Sequence, residues 1–308
     1  MIKLSIITIY YNCENYILQA INSVNQQIYD FNNIQVEYIL VNDSSTDNSK
    51  KYVQSYIKNI KSNIDYKLYD TNQNLGCGKA RQFAIEKTTG DYIMFLDADD
   101  YWTHNNFIQK AITKIIQEDA DIVEYGLIYN DKNGEKLKYH VHQELIIEDN
   151  KELSLILLFK ESVIKFNLWT KIYKSSLFQK VKFSESKTYE DVEIIPLLVY
   201  YANKIVLEPS CEINYRLRKN SITNKDPYMT KLGTISSIAK HFERFKDNYN
   251  ILLAMYSRAM MDFKDILDNK TSEDPLFDKI SYFNTYMLSY IYPNTYNNFT
   301  YNLESQTN

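Results

Sequence analysis

One pattern repeats through the first 130 residues and leaves few folds open. Short apolar runs at 4–9 (LSIITI), 36–41 (VEYILV), 66–69, 92–96 and 122–128 alternate with stretches whose apolar residues recur every three or four positions. Runs this brief read as strands buried on both faces. Between them, Ile17, Leu18, Ile21 and Val24 predict a helix over 14–24. Tyr52, Val53, Tyr56, Ile57 and Ile60 predict a second behind the caps of SSTDNS, and further helices are expected over 78–87 and 107–116. Strand then helix, repeated, implies an α/β fold with a Rossmann-like, mainly parallel sheet flanked by helices. In such sheets ligands gather beyond the carboxyl ends of the strands, where the strand order reverses.

Polar residues cluster at that rim. The stretch GDYIMFLDADDYW (90–102) runs a buried strand straight into Asp97, Asp99 and Asp100. Asp97 and Asp99 are two apart, so on an extended chain they point to one side. Two such carboxylates suit Mg2+ or Mn2+, hard cations usually held by one or two carboxylates plus substrate phosphates. The competing reading is an acidic turn that caps the next helix, with Asp99 or Asp100 near its start. Asp43 lies just past the second run, and Tyr11 and Asn12 just past the first.

Beyond residue 135 the pattern loosens. Helices are expected over 151–159 and 192–201, strands over 204–207 and 212–218, and three helices over 228–247, 250–268 and 276–292. A boundary near 220–227 divides a domain of residues 1–220, with halves 1–130 and 131–220, from a helical region, 221–308. In that region Phe242, Phe245 and Tyr249 are expected on one helix face, and Tyr282, Phe283, Tyr286 and Tyr290 on another. These faces read as packing on the catalytic domain, with a homo-oligomer contact or a surface for a lipid-linked or polymeric acceptor as sharper alternatives.

Several classes are excluded. A net charge of −4 lacks the basic excess of a nucleic-acid binder. Three scattered cysteines without a CxxC pair argue against a disulfide framework or structural zinc. His104, His140, His142 and His241 have no metalloprotease spacing, and His140 and His142 read as an exposed strand pair. There is no P-loop and no GxGxxG, since LGCGKA (75–80) opens a helix after the third strand. No apolar run approaches the length of a membrane span, and MIKLSIITIYYN is too polar for a signal peptide. The expected setting is cytoplasmic, with at most peripheral contact at the inner face of the membrane.

Taken together, three ordered segments resemble the family 2 glycosyltransferases, which have the GT-A fold. SIITIYYNCENYILQAINSVNQQ (5–27) is similar to the family's opening strand, Tyr-Asn turn and helix ending in Ser-Val-x-x-Gln. EYILVNDSSTDNS (37–49) resembles its Val-Asp-Asp-Gly-Ser-Thr-Asp segment. NQNLGCGKARQFAIEKTTGDYIMFLDADD (72–100) resembles its Asn-x-Gly-x-x-x-Ala-Arg-Asn stretch and metal-binding DxD. Ile9 stands where the family often has Pro, Asn42 replaces an Asp, Ser44 a Gly and Gln82 an Asn.

The resemblance implies an inverting, metal-dependent transfer of sugar from a UDP-sugar to a hydroxyl of a surface-glycan acceptor. It places Tyr11 under the uracil, Asp43 at the base's N–H, the Thr8 backbone beside the base and Arg81 near the nucleotide. A ring offers a stacking face and a carboxylate an acceptor, so these residue types suit the jobs. Asp97 would contact the ribose or the waters of the metal, and Asp99 would ligate the Mn2+ or Mg2+ that assists the leaving UDP. NLWTKIYKSSLF (167–178) is similar to the family's Trp-x-Lys-x-Tyr segment, and TYEDVEIIPLL (188–198) carries its acidic pair. Asp191 matches the general base, with Glu190 its neighbour. INYRLRKNSIT (213–223) resembles the segment that closes the donor site, so Arg216 and Arg218 are expected at the diphosphate, while Trp169 either bounds the sugar pocket or is core. A nucleotidyltransferase of similar fold would open with a Gly-rich loop where YYNCEN stands, and a non-catalytic binding protein is the other alternative.

Overall fold

The computed structural model describes residues 1–130, 136–139, 143–186, 188–217, 227–268 and 275–292. Nine helices and ten strands fall among them. The first half runs β1 (Ile2–Tyr10), α1 (Ile17–Asn25), β2 (Ile34–Asn42), α2 (Ser49–Asn59), β3 (Asp65–Asp70), α3 (Cys77–Ile85) and β4 (Tyr92–Phe95). Next come β5 (Tyr101–Trp102), α4 (Phe107–Gln117), β6 (Ile122–Asn130), β7 (Lys136–Tyr139), β8 (Leu145–Glu148), α5 (Lys151–Phe159) and β9 (Lys171–Lys174). The chain continues with α6 (Glu190–Tyr201), β10 (Lys204–Tyr215), α7 (Pro227–Ala239), α8 (Tyr249–Leu267) and α9 (Pro275–Ile291).

All ten strands join one sheet, ordered β3-β2-β1-β4-β9-β6-β10-β5, with β7 on β6 and β8 on β10. The segment β3-β2-β1-β4 is parallel throughout. The chain adds β2 and β3 on one side of β1, then returns through α3 to place β4 on the other. That reversal opens a crevice beyond the carboxyl ends of β1, β2 and β4. The second half is mixed. β9 lies antiparallel between β4 and β6, welding the two halves into one sheet. Its four residues (KIYK), two of them lysines, gave too little apolar signal to identify that strand.

Two expected strands, 204–207 and 212–218, prove to be one, β10, with register shifts between Glu208 and Ile213 against β6. Pro209 falls inside the irregularity, where a missing N–H costs no ladder bond. The expected helix over 228–247 stops at Ala239 and continues as turns. Phe242 and Phe245 are buried in those turns, while Tyr249 opens α8 and is exposed, so the three share no helix face. The α8 start is capped by Asn248, whose side chain accepts from the Ile251 amide and donates to Glu152 of α5. The C-terminal helices thus pack on α5 and α6, with Phe242, Met255 and Phe263 in the common core. His140, His142, Arg218 and the 220–226 part of the proposed boundary lie outside the described residues. No described helix is long and apolar enough to cross a membrane.

Candidate active site

Turn chemistry shapes the rim. After β1 the chain turns at Asn12, which has φ 49°. Asn tolerates this region, and its Oδ1 accepts from the Thr46 amide, tying the first loop to the second. Ser44 has φ 59°, which explains why the family places Gly there, and Ser44 Oγ donates to the Thr71 carbonyl in partial compensation. Gln27, the last residue of the Ser-Val-x-x-Gln signature, donates to the His104 carbonyl and accepts from Ile108 N at the start of α4. It pins the loop that follows the DxD.

Asp43 is 3% exposed, and its Oδ1 accepts from Leu75 N (2.8 Å) and Thr71 Oγ1 (2.9 Å), its Oδ2 from Gly76 N (3.0 Å). It therefore orders the turn before α3, beside whatever it offers a ligand. Tyr11 stands at the rim, 46% exposed. Thr8 is fully buried, with Oγ1 donating to the Leu96 carbonyl and hydrogen-bonded to Tyr38 Oη, and its backbone pairs with Leu40 in the β1–β2 ladder. It braces the floor of the crevice from inside the core.

α3 joins the halves. A Cβ on Gly78 would lie 2.7 Å from the Ser184 carbonyl oxygen and 2.8 Å from that of Ser186. Only glycine lets the 184–190 segment lie against this helix. One turn on, Arg81 is 8% exposed and forks between two carboxylates, Asp97 Oδ1 at 2.8 Å and Glu190 Oε1. Gln82 Oε1 accepts from the Phe183 amide. Glu190 is thus committed to Arg81, and Arg81 is a bridge between the DxD and the acidic pair. Asp191, partly open to solvent, accepts from Val192 N with Oδ1. Burial raises its carboxyl above the usual range, the Arg81 charge and the Val192 amide pull it down, and Asp97 pushes it further up.

The Cys77 thiol, at the first position of α3, interacts electrostatically with Arg81, Asp97, Asp43 and Asp191. Arg81 shares the helix with Cys77, while Asp43, Asp97 and Asp191 belong to three other segments. Burial, before those charges, raises that thiol. Sequence reasoning missed Cys77 and Gly78; the signal was the spacing of two glycines around them in LGCGKA. It also missed Glu124. Lys171 is wholly buried and lies 3.4 Å from Glu124, donating also to the carbonyls of Lys165 and Asn167. Burial lowers the Lys171 ammonium and raises the Glu124 carboxyl. The pair holds the loop carrying Trp169, whose ring is buried and stacks on Tyr215 at 5.4 Å. Arg216 follows, with its guanidinium over the Tyr16 and Tyr101 rings and donating to Gln19 Oε1.

The acidic turn offers hard oxygen donors. Asp100 is 1% exposed; Oδ1 accepts from the Arg216 amide and Oδ2 has no hydrogen-bond partner. Burial raises its carboxyl, and the charges of Asp99 and Asp97 add to the rise. Asp100 is therefore held inside the fold, while Asp97 and Asp99 are partly exposed. Among the described residues no three His, Cys, Asp or Glu side chains gather as a complete metal cage. Two carboxylates completed by phosphate oxygens fit Mg2+ or Mn2+ well.

A parallel half-sheet with acidic groups at its carboxyl rim, joined through an antiparallel strand to a mixed half, is the GT-A architecture. Residues 5–185 match the profile of Glycosyl transferase family 2. The chain belongs to that family. It is 28% identical over 229 residues to the glycosyltransferase GlyA of Streptococcus pneumoniae, covering 72% of this chain and 31% of that protein. It is 28% identical over 283 residues to the minor teichoic acid biosynthesis protein GgaB of Bacillus subtilis, covering 89% of this chain and 27% of that one. The chain thus spans under a third of these relatives' length. Among solved structures, Staphylococcus aureus TarS residues 1–349 in complex with UDP-GlcNAc superimposes with a TM-score of 0.62 at 19% identity, covering 94% of this chain and 91% of that one.

Gly78→Ala checks the α3 contact. In an open helix this change would stabilise by about 0.5–1 kcal/mol. Here the added Cβ meets two backbone oxygens, so the expected result is a net loss of about 1–3 kcal/mol in urea unfolding. A gain in stability would show that the 184–190 segment is free to move aside.

Proposed function

We propose that the protein is an inverting glycosyltransferase that moves a sugar from a UDP-sugar to a hydroxyl of a surface-glycan acceptor, with Mn2+ or Mg2+ at the diphosphate. The observation that carries this reading is what α3 joins: Asp43 accepts from the Gly76 amide just before it, and Arg81 on it forks between Asp97 and Glu190, the neighbour of Asp191. The UDP-GlcNAc held by TarS supports a UDP-sugar donor, and the teichoic acid role in the name of GgaB supports a polymeric, hydroxyl-bearing acceptor.

Tyr11 supplies a stacking face for the base, and Asp43 an acceptor beside it. Asp97 and Asp99 would hold the cation, which when bound offsets charge on the leaving diphosphate. Asp191 takes the proton of the attacking hydroxyl, whose own pKa lies far above neutrality. Glu190 and Arg81 keep that carboxylate at a set distance from the DxD. Trp169 and Arg216 flank the far side of the crevice, where the transferred sugar and the diphosphate would lie. Inversion follows because the hydroxyl attacks opposite the leaving UDP.

A titration panel of UDP- and GDP-sugars, with Mn2+ and with chelator, tests the reading. UDP-sugars should bind with Mn2+ and weaken about tenfold or more with chelator, a loss of roughly 1.4 kcal/mol. Asp99→Ala should reproduce the chelated value with metal present. Nucleotide binding that ignores both the ion and Asp99 would remove the metal from the proposal.

A further inference from the structure

The helix bearing Asp191 contains a gap. Pro196 sits inside α6 and has no N–H, so the Val192 carbonyl, one residue after Asp191, loses its ordinary partner four residues on. His241, from the turns after α7, reaches this place. Its imidazole is 5% exposed and interacts with the backbone of Val192 and Glu193 in the sense that favours a protonated ring, as carbonyl acceptors do. Ring Nε2 has no hydrogen-bond partner.

Two more contacts come from the same segment. Tyr189, immediately before Glu190, has φ 61°, a costly conformation for an aromatic residue that persists only where its surroundings impose it. Its ring lies against Gly233 of α7 so closely that a Cβ there would be 2.1 Å from Tyr189 Cε2. Glu193 Oε1 accepts from Lys240 Nζ (2.6 Å), Ser186 Oγ (2.9 Å) and Ser237 Oγ (3.2 Å). Lys240 and Ser237 belong to the C-terminal segment, and Ser186 to the loop that leads to the acidic pair.

We propose that α7 and the turn after it, through Gly233, Lys240 and His241, are the positioning device for Asp191, so that the C-terminal helices are part of the catalytic unit. The inference rests on Asp191 as the base. These residues touch the helix and loop that carry Asp191, and none is placed at the nucleotide rim. They should therefore govern turnover and leave donor affinity alone.

The test compares His241→Phe, which keeps an aromatic ring but no donor, with His241→Gln, which restores an N–H, and with Lys240→Met. Three readouts are taken on the full chain: UDP affinity with Mn2+, UDP release from UDP-GlcNAc, and amide hydrogen exchange over 184–195. Expected for His241→Phe is a fall in kcat of about tenfold with KM unchanged. Exchange over 184–195 should rise about tenfold, UDP affinity should be unaltered, and His241→Gln should recover most of both losses. Lys240→Met should give the same signature in weaker form, and it decides the matter if His241→Phe does not fold. Unchanged kcat and exchange in folded variants, or equal loss of UDP affinity, would overturn the inference. If the wild-type chain neither binds UDP nor releases it from UDP-GlcNAc, the proposed function fails, and exchange over 184–195 still decides whether α7 orders the loop.

Discussion

Asp191→Asn should reduce transfer by about 10³-fold while UDP binding stays intact. The amide can keep the hydrogen bond that Oδ1 accepts from Val192 N at 2.8 Å, so geometry is preserved and only proton acceptance is lost. Stability should not fall. Burial raises the Asp191 carboxyl, which means that the folded state penalises its charged form. Above the folded pKa that penalty is fully present, so replacing the charge with an amide should leave the melting temperature equal or higher. The same shift predicts the acid limb of the rate profile. A base works only when ionised, so activity should be lost as pH falls through a pKa lying above the ordinary aspartate value of about 3.9. Transfer at the normal rate by Asp191→Asn would remove Asp191 from the base role.

The second large effect is expected at Arg81. Arg81→Met leaves Glu190 buried without its cation and removes the ion pair of Asp97. Breaking a buried pair from one side typically costs about 3–5 kcal/mol, because a desolvated charge is stranded. Most of that loss belongs to Glu190, since Asp97 is more exposed and better screened. Arg81→Lys should recover little, because one ammonium cannot fork to two carboxylates as a planar guanidinium does. Urea unfolding of the two variants measures this directly. Adding Glu190→Gln to Arg81→Met should restore part of the loss by removing the stranded charge. If Arg81→Met unfolds like wild type, the fork contributes nothing in solution.

Much of the site was legible because its residues stand at fixed offsets from strand ends. Asp43 follows β2 directly and Asp97 comes two residues after β4, and the parallel order β3-β2-β1-β4 places both at one rim. The acidic pair was legible as a helix start, and α6 does begin at Glu190. For other site residues the folded chain adds protein partners that spacing did not show. Arg81 was read as a nucleotide contact and is buried between Asp97 and Glu190. The Thr8 side chain lies inside the core, which leaves the expectation for its backbone untouched. Arg216 has its guanidinium on Tyr16 and Tyr101. Each of these depends on which side chains from elsewhere arrive first, and spacing along the chain carries no such information.

From the sequence alone came the elements of the first half, the rim at which their carboxylates gather, and the family, because period, apolar run and strand-end chemistry are local properties. The insertion of β9 between the halves, the burial of Lys171 with Glu124, the glycine seat at Gly78 and the approach of His241 to the backbone of Val192 and Glu193 were decided only by tertiary structure. Contacts of this kind join residues 47 positions apart, as Lys240 and Glu193 are, or 109, as Arg81 and Glu190 are. At such separations packing and charge pairing outweigh local propensity, so the partner of a side chain is set by the shape of the whole chain.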